Sequence, residues 1–212
     1  MCIDLIQKKI TTPNSEVARN AWRQIQSDLR EQREAELEEC RKELRRHDII
    51  DFVTRAQACL KSSDLQKAFA QTLKDRVEEA RTRWHETLAE AHENPTTDQI
   101  HALRIAGKRL RYRAELLADL GHAPAKSLVK SLKVLQNELG YWNDSQVLLR
   151  FMAKSIGHAD FLLGHPDYAR ALITEMEKER QRNDSATVDI LKSAEKVREW
   201  RFPAEAPEQE PV

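Results

Sequence analysis

Glycine and proline are scarce in this chain, five and seven among 212 residues. With so few breakers, and with Arg, Glu, Leu and Ala abundant, the composition favours an all-helical protein. No segment alternates polar and apolar residues as a half-buried strand would, and no glycine-rich loop is present to cradle a phosphate. No run of about 18 apolar residues occurs, so no membrane-spanning segment is expected. The opening "MCIDLIQKKI" lacks a basic stretch followed by a long apolar one, so no signal peptide is expected either. The three cysteines, Cys2, Cys40 and Cys59, are odd in number and widely spaced. They form no metal-spacing pair, and the reading is of reduced thiols in a cytoplasmic protein. A chain of this length buries roughly 70% of its unfolded surface and folds without such staples.

Net charge is absent too: 35 basic residues balance 35 acidic ones. That total argues against anion binding, but the distribution argues for it. Between His101 and Lys133 lie eight basic residues (Arg104, Lys108, Arg109, Arg111, Arg113, Lys126, Lys130, Lys133) and two acidic ones (Glu115, Asp119), a local excess of six. The acidic counterweight sits in "EAELEE", from Glu34 to Glu39, and in the tail "PAEAPEQEPV".

The pattern predicts an antiparallel helical bundle of about seven or eight helices. Residues 1–14 show no clear period and end in the breaker "TTPN". The domain proper spans residues 15–200, and residues 201–212 form a Pro- and Glu-rich disordered tail. A charge-laced helix is predicted over residues 15–46, with opposite charges at i,i+4. A short helix follows from 47 or 48 to 60. The next, capped by Asp64 and reaching residue 92, places Leu65, Phe69, Leu73, Val77, Ala80 and Trp84 at core spacing. Thr96 and Gln99 form a capping box for a helix that stops at Gly121. Pro124 opens another, with Gly140 as its C-cap signal and "YWND" as a turn. Further helices are expected over residues 143 or 144 to 156, 166–182 and 184–200.

The stretch "HALRIAGKRLRY" then has two faces. Leu103, Ala106, Leu110, Ala114 and Leu117 form an apolar stripe, with Gly107 beside it allowing close approach by a neighbour. His101, Arg104, Lys108, Arg111 and Glu115 form a second stripe, bordered by Tyr112, while Arg109 and Arg113 point to a third side. A solvated helix face normally mixes charge signs, and this one carries cations with a single terminal acid. Like charges at i,i+4 repel by a few tenths of a kcal/mol per pair, a cost that an external anion would offset. Lys126, Lys130 and Lys133 share a face of the following helix, so the two helices are expected to line one basic groove. Arginine forks and lysine point charges suit phosphate oxygens. The helix N-terminus adds partial positive charge near His101, which donates two hydrogen bonds when protonated.

"HALRIAGKRLRYRAELL" followed by "LKVLQNELGYWNDSQVLL" resembles the conserved-histidine α-helical domain family, CHAD. The two linked motifs cover residues 101–149, and a looser likeness reaches back to residue 29, resembling mainly the second half of such a domain. The first ninety residues hold no matching His-and-basic motif. The resemblance implies helical bundles whose basic residues bind inorganic polyphosphate. Carried onto this chain, it points to His101, Arg104, Lys108 and Arg111, with Arg109 and Tyr112 inside the motif. Lys126, Lys130 and Lys133 come from helix geometry instead. The expectation is a non-catalytic binding module, cytoplasmic and associated with polyphosphate granules, with no cofactor or metal and with self-association as a homodimer. Two other classes compete. A phosphohydrolase would need metal-binding carboxylates beside the basic stripe, and the alternating Glu34, Glu36 and Glu38 lack the lysine of a triphosphatase signature. A nucleic-acid binder would interleave aromatics with the cations, and Tyr112 stands alone there. His85 and His92, seven apart, have no further ligand nearby for a zinc site.

Overall fold

The computed structural model describes residues 2–11, 15–46, 53–55 and 63–200. The protein is all-α: α1 (Cys2–Thr11), α2 (Glu16–Arg45), α3 (Ser63–Glu93), α4 (Thr97–Asp119), α5 (Ala123–Gly157), α6 (Ala159–Gly164) and α7 (Pro166–Arg198). Residues 53–55 are also helical, and no strand occurs among the described residues. The rest of the helix expected from 47 or 48 to 60, the "TTPN" breaker beyond Thr11 and the tail 201–212 lie outside the described residues. No helix among the described residues is long and apolar enough to cross a membrane.

Local signals set several helix ends. Ser15 caps α2, its Oγ accepting from the Ala18 amide at 3.2 Å. Thr96 caps α4, its hydroxyl accepting from the Gln99 amide at 3.3 Å. α4 ends in a Schellman motif: the His122 amide donates to the Leu117 carbonyl at 3.2 Å and the Gly121 amide to that of Ala118 at 3.1 Å. Gly121 has φ +93°, which a side chain resists, so glycine is required there.

Elsewhere tertiary packing overrides the local signal. Gly140 does not end a helix, and "YWND" is not a turn, because α5 runs unbroken to Gly157. Leu135, Leu139, Trp142, Ser145, Leu148 and Met152 recur every three or four residues and all are buried. Burial at these positions outweighs the roughly 1 kcal/mol that an interior glycine costs. The two helices expected over residues 166–182 and 184–200 are likewise one, α7. Asn183, a good N-cap by type, is buried at mid-helix. α3 starts at Ser63, so Asp64 lies inside it rather than capping it. Residues 2–11, without a legible period, form α1, which buries Leu5 and Ile6.

The chain forms two compact units, and the division falls inside α5 and α7. The first unit comprises residues 1–61 and 140–186. Its core joins Leu5 and Ile6 of α1, Ala21, Trp22 and Ile25 of α2, Leu148 and Met152 of α5, and Leu172 of α7. Beside this core a buried carboxylate organises three elements. Glu179 accepts from Lys9 Nζ at 2.9 Å, Ser145 Oγ at 2.8 Å and Arg182 Nη1 at 3.1 Å. Burial pushes the Glu179 pKa up, but the hydrogen bonds from Lys9, Ser145 and Arg182 and the Lys9 charge outweigh it, holding the pKa below the ordinary carboxylate value. Burial and the Glu179 charge together raise the nearby Tyr141 phenol.

The second unit comprises residues 62–139 and 187–212. α3 contributes Leu73, Val77, Ala80, Trp84 and Leu88, all buried, whereas Phe69, expected in the core, is exposed. The side chain of Leu65 lies outside the described residues. α4 buries Ile100, Leu103, Ala106, Leu110, Ala114 and Leu117, the expected apolar stripe extended by one turn. At Gly107 the two helices meet: a Cβ there would stand 2.8 Å from Trp84 Cζ3. The end of α7 closes this unit, with Trp200 Nε1 donating to Ser127 Oγ at 2.9 Å and His92 Nε2 lying 2.8 Å from Glu195 Oε1.

Two measurements check this packing. Gly107→Val pushes against a wholly buried indole and lowers unfolding stability in urea by about 2–3 kcal/mol. Gly157→Ala, which meets nothing within 4 Å, stays within about 1 kcal/mol of the parent. Glu179, with its depressed folded pKa, contributes stability that is present above its unfolded pKa and lost as the pH falls through the folded one. Urea midpoints measured from neutral pH down to pH 3 therefore fall, and Glu179→Gln flattens that fall while costing about 3 kcal/mol at neutral pH.

Candidate polyanion-binding face

The α4 core stripe dictates where its cations stand. With Leu103, Ala106, Gly107, Leu110 and Ala114 buried, the residues between them turn away from the core. His101, Arg109 and Tyr112 are exposed, and Arg104, Lys108 and Arg111 are half-buried. A run from His101 to Arg111 spans ten residues, about 15 Å along the axis. Thr96 caps the near end, where free amides add partial positive charge, partly offset by Asp98 in the first turn.

Direct contacts join some of the expected residues. Glu115 is the junction: its Oε1 lies 2.9 Å from Arg111 Nη1 and 3.2 Å from Lys133 Nζ, tying α4 to α5. The Arg111 guanidinium also stacks over the Tyr112 ring, 4.5 Å from its centroid, while its buried Nε has no hydrogen-bond partner. Arg111, Tyr112 and Lys133 thus form one cluster around a single carboxylate. Lys126 and Lys130 are exposed on α5, and no described hydrogen bond or ion pair draws them to α4. Arg113 is a structural residue: it donates to the Arg76 carbonyl at 2.9 Å and lies 3.8 Å from Glu79, fastening α4 to α3.

The pairing pattern sets this face apart. α2, α3 and α7 pair cations with carboxylates three residues away, as in Arg41–Glu38, Arg83–Glu86 and Arg198–Glu195. No described carboxylate pairs with Arg104, Lys108, Arg109, Lys126 or Lys130. Glu34, Glu36 and Glu38 are exposed on α2, within a laced helix surface. His92 is engaged with Glu195 across the second unit. Among the described residues no group of three or more His, Cys, Asp or Glu side chains is arranged to hold a metal ion. The Glu115 junction was half legible in advance: its spacing from Arg111 is a helix pair, but its meeting with Lys133 depends on how α5 packs.

The fold and this face describe an all-helical protein with a cationic stripe on one long helix. The family pattern of the CHAD domain matches residues 1–153, and the chain belongs to that family. The match begins at residue 1, so it includes α1 and the start of α2, which precede the likeness reaching back only to residue 29. No curated protein matches the chain, and no solved structure does.

Glu115 neutralises two cations of the cluster, so Glu115→Gln frees both. Anion affinity measured by filter binding should rise about two- to fivefold, with little change in stability, since partly exposed pairs contribute at most about 1 kcal/mol.

Proposed function

We propose that this protein is a non-catalytic binder of inorganic polyphosphate, which lies along the α4 stripe. The observation that carries the reading is the run of Arg104 and Lys108 beside His101, without described carboxylates to neutralise the Arg104 and Lys108 charges. Membership of the CHAD family supports it. Phosphates closely spaced along a chain present many weak contacts that add up, and the guanidinium of Arg104 matches their oxygens bidentately. Arg111 and Lys133 join once phosphate competes with Glu115, and Lys126 and Lys130 extend the positive field along α5. On this reading the protein works in the cytoplasm, at polyphosphate granules.

The stripe length makes chain length the test. In filter binding at matched salt, long polyphosphate binds well above ATP or orthophosphate, because a short anion cannot touch about 15 Å of helix. Affinity falls steeply from low to physiological salt, as counterion release requires. Arg104→Ala and Lys108→Ala each weaken binding and flatten that salt dependence. Arg170→Ala, in the other unit and beside Asp167, does neither. Equal affinity for orthophosphate and long chains, or tighter binding of RNA than of polyphosphate, overturns the reading.

A further inference from the structure

The first unit carries an opening that polyphosphate binding does not use. Between α2 and α5 two adjoining clefts share Phe151 and Lys154. The wider, about 460 Å³, is lined by the rings of Phe151, Phe161 and His165 and by the polar groups of Gln24, Asp28 and Ser155. The His165 ring is held in place, stacked on Tyr168 at 5.0 Å and T-shaped to Phe161 at 5.8 Å. The narrower, about 290 Å³, gathers three cations, Arg33, Arg150 and Lys154, beside Leu29 and Val147. No described carboxylate pairs with those cations. The α2 carboxylates alongside, Asp28 and Glu36, each accept from a glutamine of their own helix, Gln24 at 2.8 Å and Gln32 at 2.7 Å.

The two clefts differ in chemistry, and together they describe one ligand. The aromatic lining suits a flat ring. Asp28 and Asp160 border the wide cleft, where they repel a phosphate and accept from amino or hydroxyl groups. The cations of the narrow cleft suit phosphate oxygens, the arginines bidentately. Asp28 and Arg33 lie five residues apart on α2, and Ser155 and Arg150 five apart on α5. That separates the clefts by about 7–8 Å along each axis, the reach of a sugar joining a base to its phosphates. Bare polyphosphate leaves the rings unused, and an aliphatic acid leaves Asp28 and Asp160 without donors.

We propose that this groove binds a nucleoside diphosphate, its base against Phe161 and His165 and its phosphates among Arg33, Arg150 and Lys154. Gln24 and Asp28 meet the polar edge of the base or the sugar hydroxyls. Three cations match two phosphates better than one. Every group belongs to the first unit, so the site stands or falls independently of the α4 stripe.

Isothermal titration calorimetry of the full chain with ADP, adenosine and pyrophosphate at matched salt tests the site. ADP is expected to bind with a Kd of about 10–100 μM, and adenosine and pyrophosphate about tenfold more weakly or worse, since each fills one cleft. Arg150→Ala and Lys154→Ala each weaken ADP about five- to tenfold. His165→Ala weakens ADP about three- to tenfold and leaves pyrophosphate unchanged. All three side chains are exposed, so helical content by circular dichroism should match the parent. No binding of ADP at about 1 mM overturns the proposal. So does pyrophosphate binding as tightly as ADP, or ADP binding that is lost in Arg104→Ala and kept in Arg150→Ala. Long polyphosphate is titrated alongside, so failure of this site and failure of the polyphosphate reading give different results.

Discussion

The contact between Trp84 and Gly107 sets the geometry of the second unit. The indole is wholly buried, and the space where a Cβ would stand is taken by its ring. Only glycine lets α3 approach α4 this closely. That approach fixes which face of α4 is core, and so which face carries His101, Arg104 and Lys108. Arg113 secures the same pair of helices by hydrogen bonding to the α3 backbone at Arg76. The cationic face therefore follows from packing on the other side of the helix.

Charge in this protein is organised by locality. The chain is neutral overall, yet its helices distribute charge in two ways. On α2, α3 and α7, acids and bases alternate at spacings that let them pair in solvent, where each pair contributes little. On α4, cations stand together, and Glu115 is shared between Arg111 and Lys133. The first unit shows the buried counterpart. Glu179 is enclosed by Lys9, Ser145 and Arg182, so that its charge is satisfied before it is desolvated. The same residue types thus take three arrangements: paired on the surface, gathered as cations on α4, and enclosed beside the core.

The match to the CHAD family spans both the His-and-basic helix and the "LQNELG" segment that follows it. In this chain the two segments have a physical relationship. The first supplies the cations. The second supplies Leu135 and Leu139, which are core residues of the unit, and follows Lys133, which reaches across to the first. Tyr112 stacks beneath Arg111 rather than standing free, a packing role at the edge of the cluster.

Much of this was legible from one-dimensional pattern. The helical class, the Thr96 cap, the stop at Gly121 and the two faces of α4 all follow from interactions within four or five residues, which spacing alone reveals. Gly140 misled because its local preference for ending a helix is weak, on the order of 1 kcal/mol, while burial on either side contributes several times that. α1 was hidden because ten residues hold too few turns to show a period. The sequence by itself determined that α4 carries an apolar and a cationic stripe, since a helix turns about 100° per residue whatever surrounds it. Only the tertiary structure decided that Arg113 belongs to the α3 contact and that Lys133 joins Arg111 through Glu115. Those outcomes depend on distances between helices, which side-chain packing sets and no spacing along the chain encodes.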